Sequence, residues 1–156
     1  MADALQSVRD GMKQVLAEHH ASWHEVLDGL TPEALNWTPG PETNSITVLL
    51  THSLGAEESL LSTVVGRTLS RDRDAEFRVQ GSDAAALARR VDEVGTRTAA
   101  LLDAISADDL SEIRQPANDR LNRRFPGIWW LLHAVEHNRE HIGQAMLTRQ
   151  LYAQQH

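Results

Sequence analysis

The chain has 156 residues, enough for one domain with a packed core and too few for two ordinary ones. Its 22 acidic and 15 basic residues give a formal charge of -7, which argues against a protein that tracks nucleic-acid phosphates. It has no cysteine, so thiolate ligands, a cysteine nucleophile and disulfides are excluded, and any metal must be held by nitrogen and oxygen donors.

Helical spacing opens the chain and persists to its end. Leu5, Val8, Met12, Val15, Leu16, Trp23, Val26 and Leu27 recur at three and four, predicting a long amphipathic helix that stops near Gly29. His19 falls on its aliphatic stripe, and His20 and His24 lie toward the flank as boundary residues. Thr31-Pro32-Glu33 reads as an N-cap with proline at the first helical position, starting a short turn through Leu35. After a loop over 37–41, a second long helix starts at Asn44 or Ser45 and carries Ile46, Leu49, Leu50, Leu54, Leu60, Leu61 and Val64 to a stop near Gly66. His52 lies on this helix, and Gly55 and Ala56 at i+3 and i+4 leave space beside its imidazole for a ligand or substrate.

The charged stretch from Arg67 to Gly81, at ~3.3 Å per extended residue, is long enough to travel the length of a bundle, which favours a crossover over a tight hairpin. Ser82 or Asp83 caps a third helix with Leu87, Val91, Val94, Thr98, Leu101, Leu102 and Ile105 on one face, followed by a short turn at Ser106 to Leu110. A loop with Pro116, Asn118 and Asp119 carries Arg114, Arg120, Arg123 and Arg124, a basic cluster that could recognise an anionic substrate but is read first as solvated. Phe125-Pro126-Gly127 then opens a last helix that runs to about Tyr152. No segment alternates as a strand does. The expectation is a single all-α domain over 1–156, a four-helix bundle with a crossover connection between helices 2 and 3. That topology sets the start of the last helix at the end of the bundle away from the start of the second, so Arg120, Arg123 and Arg124 are expected to stay clear of any site near His52. A faint echo links 27–35 with 102–110, each followed by a loop and an Ile-x-x-Leu-Leu segment reaching a histidine. No run approaches the roughly 20 apolar residues of a membrane span, and the first residues lack a basic region followed by an apolar run, so a cytoplasmic protein is expected.

The chemistry concentrates in His133-Ala-Val-Glu-His137-Asn-Arg-Glu-His141, followed by Ile142-Gly143-Gln144. Imidazoles at i, i+4 and i+8 advance about 40° per step on a helix, so neighbours can share an ion while the outer two diverge by about 80°. Spacing alone leaves the better pair open. His52, on a facing helix, can supply the third corner of a site with open positions. Gln144 returns to the face of His137, where it can hydrogen-bond a ligand or bound water, while Glu136 and Glu140 point about 100° away from the adjacent histidines. Glu57 and Glu58 are candidate general bases that the sequence does not place. Ile128, Val135, Ile142 and Met146 form an aliphatic stripe about 180° from His137; with the histidines turned inward, that stripe faces outward and predicts a homodimer through the last helix.

Three segments together resemble the DinB-like putative metalloenzymes: Leu30-Thr31-Pro32-Glu33-Ala34-Leu35-Asn36-Trp37, Asn44-Ser45-Ile46 leading to Leu49-Leu50-Thr51-His52, and His137-x-x-x-His141-x-Gly143-Gln144. The resemblance implies a four-helix bundle with a crossover, frequent dimerisation, and a divalent metal, usually zinc or nickel, on histidines that map to His52, His137 and His141. Some relatives are transferases or isomerases that use low-molecular-weight thiols. His133 does not match a ligand position and is assigned, with Gln144, to the substrate or outer shell of the site. The expected function is therefore a metal-dependent enzyme, a thiol-dependent S-transferase or isomerase acting on a small electrophile, or a metal-assisted hydrolase. Its rival is a non-catalytic dimeric bundle that binds metal for structure or sensing. No catalytic residue is assigned from the sequence.

Overall fold

The computed structural model describes residues 2–81 and 83–155. Four long helices carry the architecture: α1 (Ala2–Leu27), α3 (Ile46–Val64), α5 (Ala84–Ala104) and α7 (Gly127–Gln155). Between them lie three one-turn helices, α2 (Pro32–Asn36), α4 (Arg73–Glu76) and α6 (Ala107–Ser111), and a two-stranded ribbon, β1 (Ile113–Arg114) against β2 (Phe125–Pro126). The ribbon is a feature that helical periodicity does not reveal. Among the described residues no helix is long and apolar enough to cross a membrane.

Local chemistry starts α2, α3, α5 and α6 where the sequence suggests. Thr31, Ser45 and Ser106 accept hydrogen bonds from Ala34, Val48 and Asp109 backbone N–H groups, each worth about 1 kcal/mol. Asp83 caps α5 through the Ala85 and Ala86 N–H groups; Ser82, the other candidate, lies outside the described residues. Gly127, at the start of α7, packs against the Asp109 carbonyl so closely that a Cβ there would overlap it.

Pairings across the interfaces give the topology. Arg9 reaches the Ile105 carbonyl and His24 reaches Asp92, so α1 and α5 run antiparallel. Thr51 meets Arg90 and Glu58 meets Arg97, equal steps in the same direction, so α3 and α5 run parallel. A parallel pair of consecutive long helices requires the connection to return along the bundle, and residues 65–83 do so, the expected crossover. Gly81 closes it by exchanging hydrogen bonds with Asn36, and a Cβ at this position would collide with the Thr47 side chain. The order long helix, capped turn, long helix occurs in both α1–α2–α3 and α5–α6–α7, so the echo between 27–35 and 102–110 corresponds to equivalent elements.

The core divides into two aliphatic clusters. One gathers Val26, Leu50, Leu54, Val91 and Ile142 around Trp23; the other gathers Leu16, Leu61, Leu102 and Leu131 around Trp130. A buried polar layer separates them. Asn138 accepts from Trp23 Nε1 (3.1 Å) and Ser53 Oγ (2.6 Å) and donates to Glu57 (2.5 Å), whose carboxyl group also accepts from His20 Nε2 (3.0 Å). The polar side-chain atoms of Trp23, Ser53, Glu57 and Asn138 are all partnered, which lets the layer exist in the interior without a large desolvation penalty.

The aliphatic stripe on α7 requires a correction. Ile142 is fully buried, and Val135 and Met146 are half-buried against the core, leaving only Ile128 of the four outward. The helix buries a face between the two stripes, so the histidines and aliphatics flank it on either side instead of competing for it. The stripe therefore does not need a second copy to cover it.

Candidate metal centre

His52 on α3 and His137 and His141 on the antiparallel α7 converge at mid-bundle. Each offers a ring nitrogen, and the three lie within 4.8 Å of one another. His137 Nε2 and His141 Nε2 are 3.3 Å apart. Two nitrogens bound to one tetrahedral zinc at about 2.0–2.1 Å are separated by about 3.3–3.4 Å, so this pair already has the spacing of a shared ion. The neutral, lone-pair-bearing donor set fits a borderline metal, and the group can hold one.

Two of the rings are oriented from outside. His141 Nδ1 donates to Gln144 Oε1 at 2.8 Å, which leaves Nε2 as its ligating atom. His52 Nδ1 donates to Glu76 Oε2 at 3.0 Å, again freeing Nε2. Glu76 is itself clamped by Arg71, whose Nε and Nη2 each donate to its carboxylate at 2.7 Å while Nη2 also donates to the His52 carbonyl at 3.0 Å. Phe77 packs on the His52 ring at 4.7 Å between centroids. His137 differs, because its Nδ1 is buried with no partner among the described residues. No hydrogen bond at Nδ1 orients that ring from outside.

Protonation follows from these surroundings. Burial, with His141, His52, His133 and Arg71 adding unfavourable positive charge, pushes His137 down to about 3. Burial also lowers His141, against a smaller upward pull from Gln144. Burial works to raise Glu76, but the hydrogen bonds from His52 and Arg71 and the guanidinium charge outweigh it and hold the carboxyl below its ordinary value. At neutral pH the site therefore presents His137 and His141 uncharged beside an ionised Glu76.

Glu76 and Arg71 were not anticipated from the sequence. They lie in the charged crossover with no motif to mark them. Gly55 held the only hint: a Cβ there would collide with the Glu76 carboxylate and press on Arg71. The space expected beside His52 for a substrate is taken by this buttress, while Ala56 does face a cavity.

That cavity, about 410 Å³, is lined by His52, His137 and His133 and walled by Leu60, Leu121 and Trp130. His133 stays outside the three-histidine group. Its ring stacks on Trp129 (4.7 Å), and its Nε2 accepts from Arg123 Nη1 at 3.1 Å. Arg120 and Arg123 also line the cavity, which corrects the expectation that this loop stays clear. The start of α7 does lie toward the far end of the bundle. The β1–β2 ribbon, however, turns residues 115–124 back over the α3–α7 pair, and Trp130 Nε1 ties the ribbon down through the Arg114 and Phe125 carbonyls. Arg124 is exposed and does not line the cavity. Glu57 is committed to the buried layer and Glu58 to Arg97, so neither joins the histidines. His20 pairs with Glu57 and His24 with Asp92, both away from the group.

Residues 15–145 match the family model described as the DinB superfamily. The chain belongs to the DinB superfamily. Solved structures share its fold. A DinB-like protein from Bacillus cereus superposes with a TM-score of 0.72 at 21% identity, with 92% of each chain covered. A conserved protein from Enterococcus faecalis gives 0.74 at 19% identity, covering 92% of this chain and 96% of the other. A DinB-like protein from Bacillus subtilis gives 0.68 at 17% identity, with 92% of each chain covered. No curated protein matches the chain. At these identities the neighbours speak to the fold, and the histidine group in a DinB bundle marks a candidate metal-binding protein.

Proposed function

We propose that this protein is a divalent-metal-dependent enzyme whose zinc or nickel is held by His52, His137 and His141, and that it transfers a low-molecular-weight thiol to a small electrophile or isomerises it. The observation that carries the reading is the opening of the histidine group, through His52 and His137, into a cavity of about 410 Å³. A structural metal site is closed by four protein ligands, whereas a catalytic one leaves positions for substrate. When bound, such a cation supplies Lewis acidity, lowering the pKa of a thiol or water that reaches it. Glu76 and Gln144 hold protons on Nδ1 of His52 and His141 and aim Nε2 inward. Arg123 keeps Nε2 of His133 an acceptor at the cavity wall, and Leu60 and Trp130 exclude water from that side. With no cysteine in the chain, the sulfur must come from a co-substrate.

Elemental analysis of tag-free protein, followed by turnover assays pairing small thiols with electrophiles, tests the reading. One zinc or nickel per chain and thiol-dependent turnover that is lost in His52→Ala support it. Turnover with water alone moves the assignment to a hydrolase. Stoichiometric metal without turnover, together with a large loss of stability on chelation, returns the protein to a structural or sensing role. Self-association is a separate part of the proposal. Ile128, Leu132 and Leu147 expose apolar side chains on the outer side of α7. A dimer in sedimentation velocity that Leu132→Glu dissociates supports it, and a monomer at every concentration removes it.

A further inference from the structure

We propose that the cavity beside the histidines contains an anion subsite, centred on Arg73 and Arg120, that receives the carboxylate or phosphate group of a small substrate. This assignment rests on the reading of the cavity as the substrate side of the metal site. In a chain of net charge -7, the cavity wall carries Arg71, Arg73, Arg120 and Arg123 against one carboxylate, Asp119. Such a local reversal of sign attracts an anion into the pocket and away from the rest of the surface.

The four guanidinium groups are not equivalent. Arg71 is spent on Glu76, in a bidentate pair at 2.7 Å per bond. Arg123 is spent on Asp119 (2.7 Å) and His133, with its guanidinium between the Trp129 and Trp130 rings at 5.3 and 5.2 Å. These two are already neutralised by carboxylates. Arg73 is half-buried over the Phe77 ring at 4.7 Å, and no carboxylate lies within salt-bridge distance of it among the described residues. Among the described residues Arg120 pairs with Asp74 alone, and both partners are about three-fifths exposed. An exposed pair of that kind contributes little and exchanges readily for another oxyanion. Two planar donor forks are therefore available, one from α4 and one from the ribbon loop, both lining the cavity. Guanidinium matches carboxylate and phosphate oxygens two at a time, so the chemistry common to both is an oxyacid anion. Leu60, Leu121 and Trp130 provide an apolar wall for the remainder of the molecule, and the volume suits a ligand of metabolite size.

Calorimetric titration of the full chain with succinate, dimethyl succinate and inorganic phosphate, metal-free and zinc-loaded, tests the subsite at low ionic strength. Succinate or phosphate should bind at least tenfold more tightly than the neutral diester, and the tighter of the two identifies the anion. Arg73→Gln combined with Arg120→Gln should weaken binding at least tenfold with zinc stoichiometry unchanged. Asp74→Asn removes the competitor of Arg120 and should tighten binding about two- to fivefold, a gain that misfolding cannot produce. Equal binding of diacid and diester, or an unchanged affinity in both variants, overturns the subsite. The two readings separate: stoichiometric zinc without anion binding leaves the metal assignment standing and removes the subsite. Arginine-dependent anion binding in a protein that takes no zinc does the reverse.

Discussion

His52 is the candidate ligand on which most of the surrounding chain is spent. Glu76 fixes its tautomer, Arg71 fixes Glu76, and Gly55 makes room for both. Carboxylates behind metal-binding histidines typically contribute tenfold to hundredfold in affinity. Glu76→Gln should therefore weaken zinc binding by about that factor with the helical content unchanged, as measured by competition with a chromophoric chelator. An unchanged affinity would remove Glu76 from the site. Protonation gives a second expectation. In the metal-free protein His137 titrates at about 3, against 6.5 for an unperturbed histidine, so its folded pKa is depressed. The unfolded chain then binds the extra proton between those values, and stability present above pH 6.5 is lost as pH falls toward 3, by at most about 1.4 kcal/mol per pH unit for this group. Urea unfolding between pH 7 and pH 5 should show this slope, and His137→Asn should reduce it. The three histidines that converge were legible from spacing and family resemblance. Their buttress was not, because an acid that reaches a histidine 24 residues away leaves no periodic trace.

Elements with a repeating apolar face could be read directly. Leu49, Leu50, Leu54, Leu61 and Val64 announce α3, and the same pattern announces α1 and α5. The length of the charged connection correctly implied that α3 and α5 run parallel. By contrast α4 and the β1–β2 ribbon comprise four and two-by-two residues, too short to carry a period. Tertiary contacts decide them: Arg71 with Glu76 for α4, and Trp130 with two carbonyls for the ribbon. The arginine loop was misplaced for that reason, although the direction of α7 had been inferred correctly. The buried polar layer was equally invisible, since Asn138 stands on a helix among charged residues. It joins α1, α3 and α7. Asn138→Ala strands Trp23, Ser53 and Glu57 without their shared partner and should cost about 3–5 kcal/mol in urea unfolding. A loss under 1 kcal/mol would mean that water replaces the amide.

Across the whole molecule, any ligand that binds only the folded chain adds to its stability by mass action. Free zinc at a hundredfold excess over its dissociation constant contributes about 2.7 kcal/mol, or about 5–10 °C in melting temperature for a chain of this size. Scanning calorimetry with and without chelator measures it, and the His52→Ala variant should show no such shift. The polar layer also has a geometric consequence at this scale. Ser53 is the chain neighbour of His52 and Asn138 the chain neighbour of His137, and the two are bonded to each other at 2.6 Å. Aliphatic ridges alone tolerate sliding by a turn, about 5.4 Å, which exceeds the 4.8 Å that contains the three donor nitrogens. The Ser53–Asn138 bond therefore indexes α3 against α7 like a dowel between two rods, one residue from each ligand. The core and the metal centre share one alignment, so a substitution that re-registers the first dismantles the second without touching a histidine.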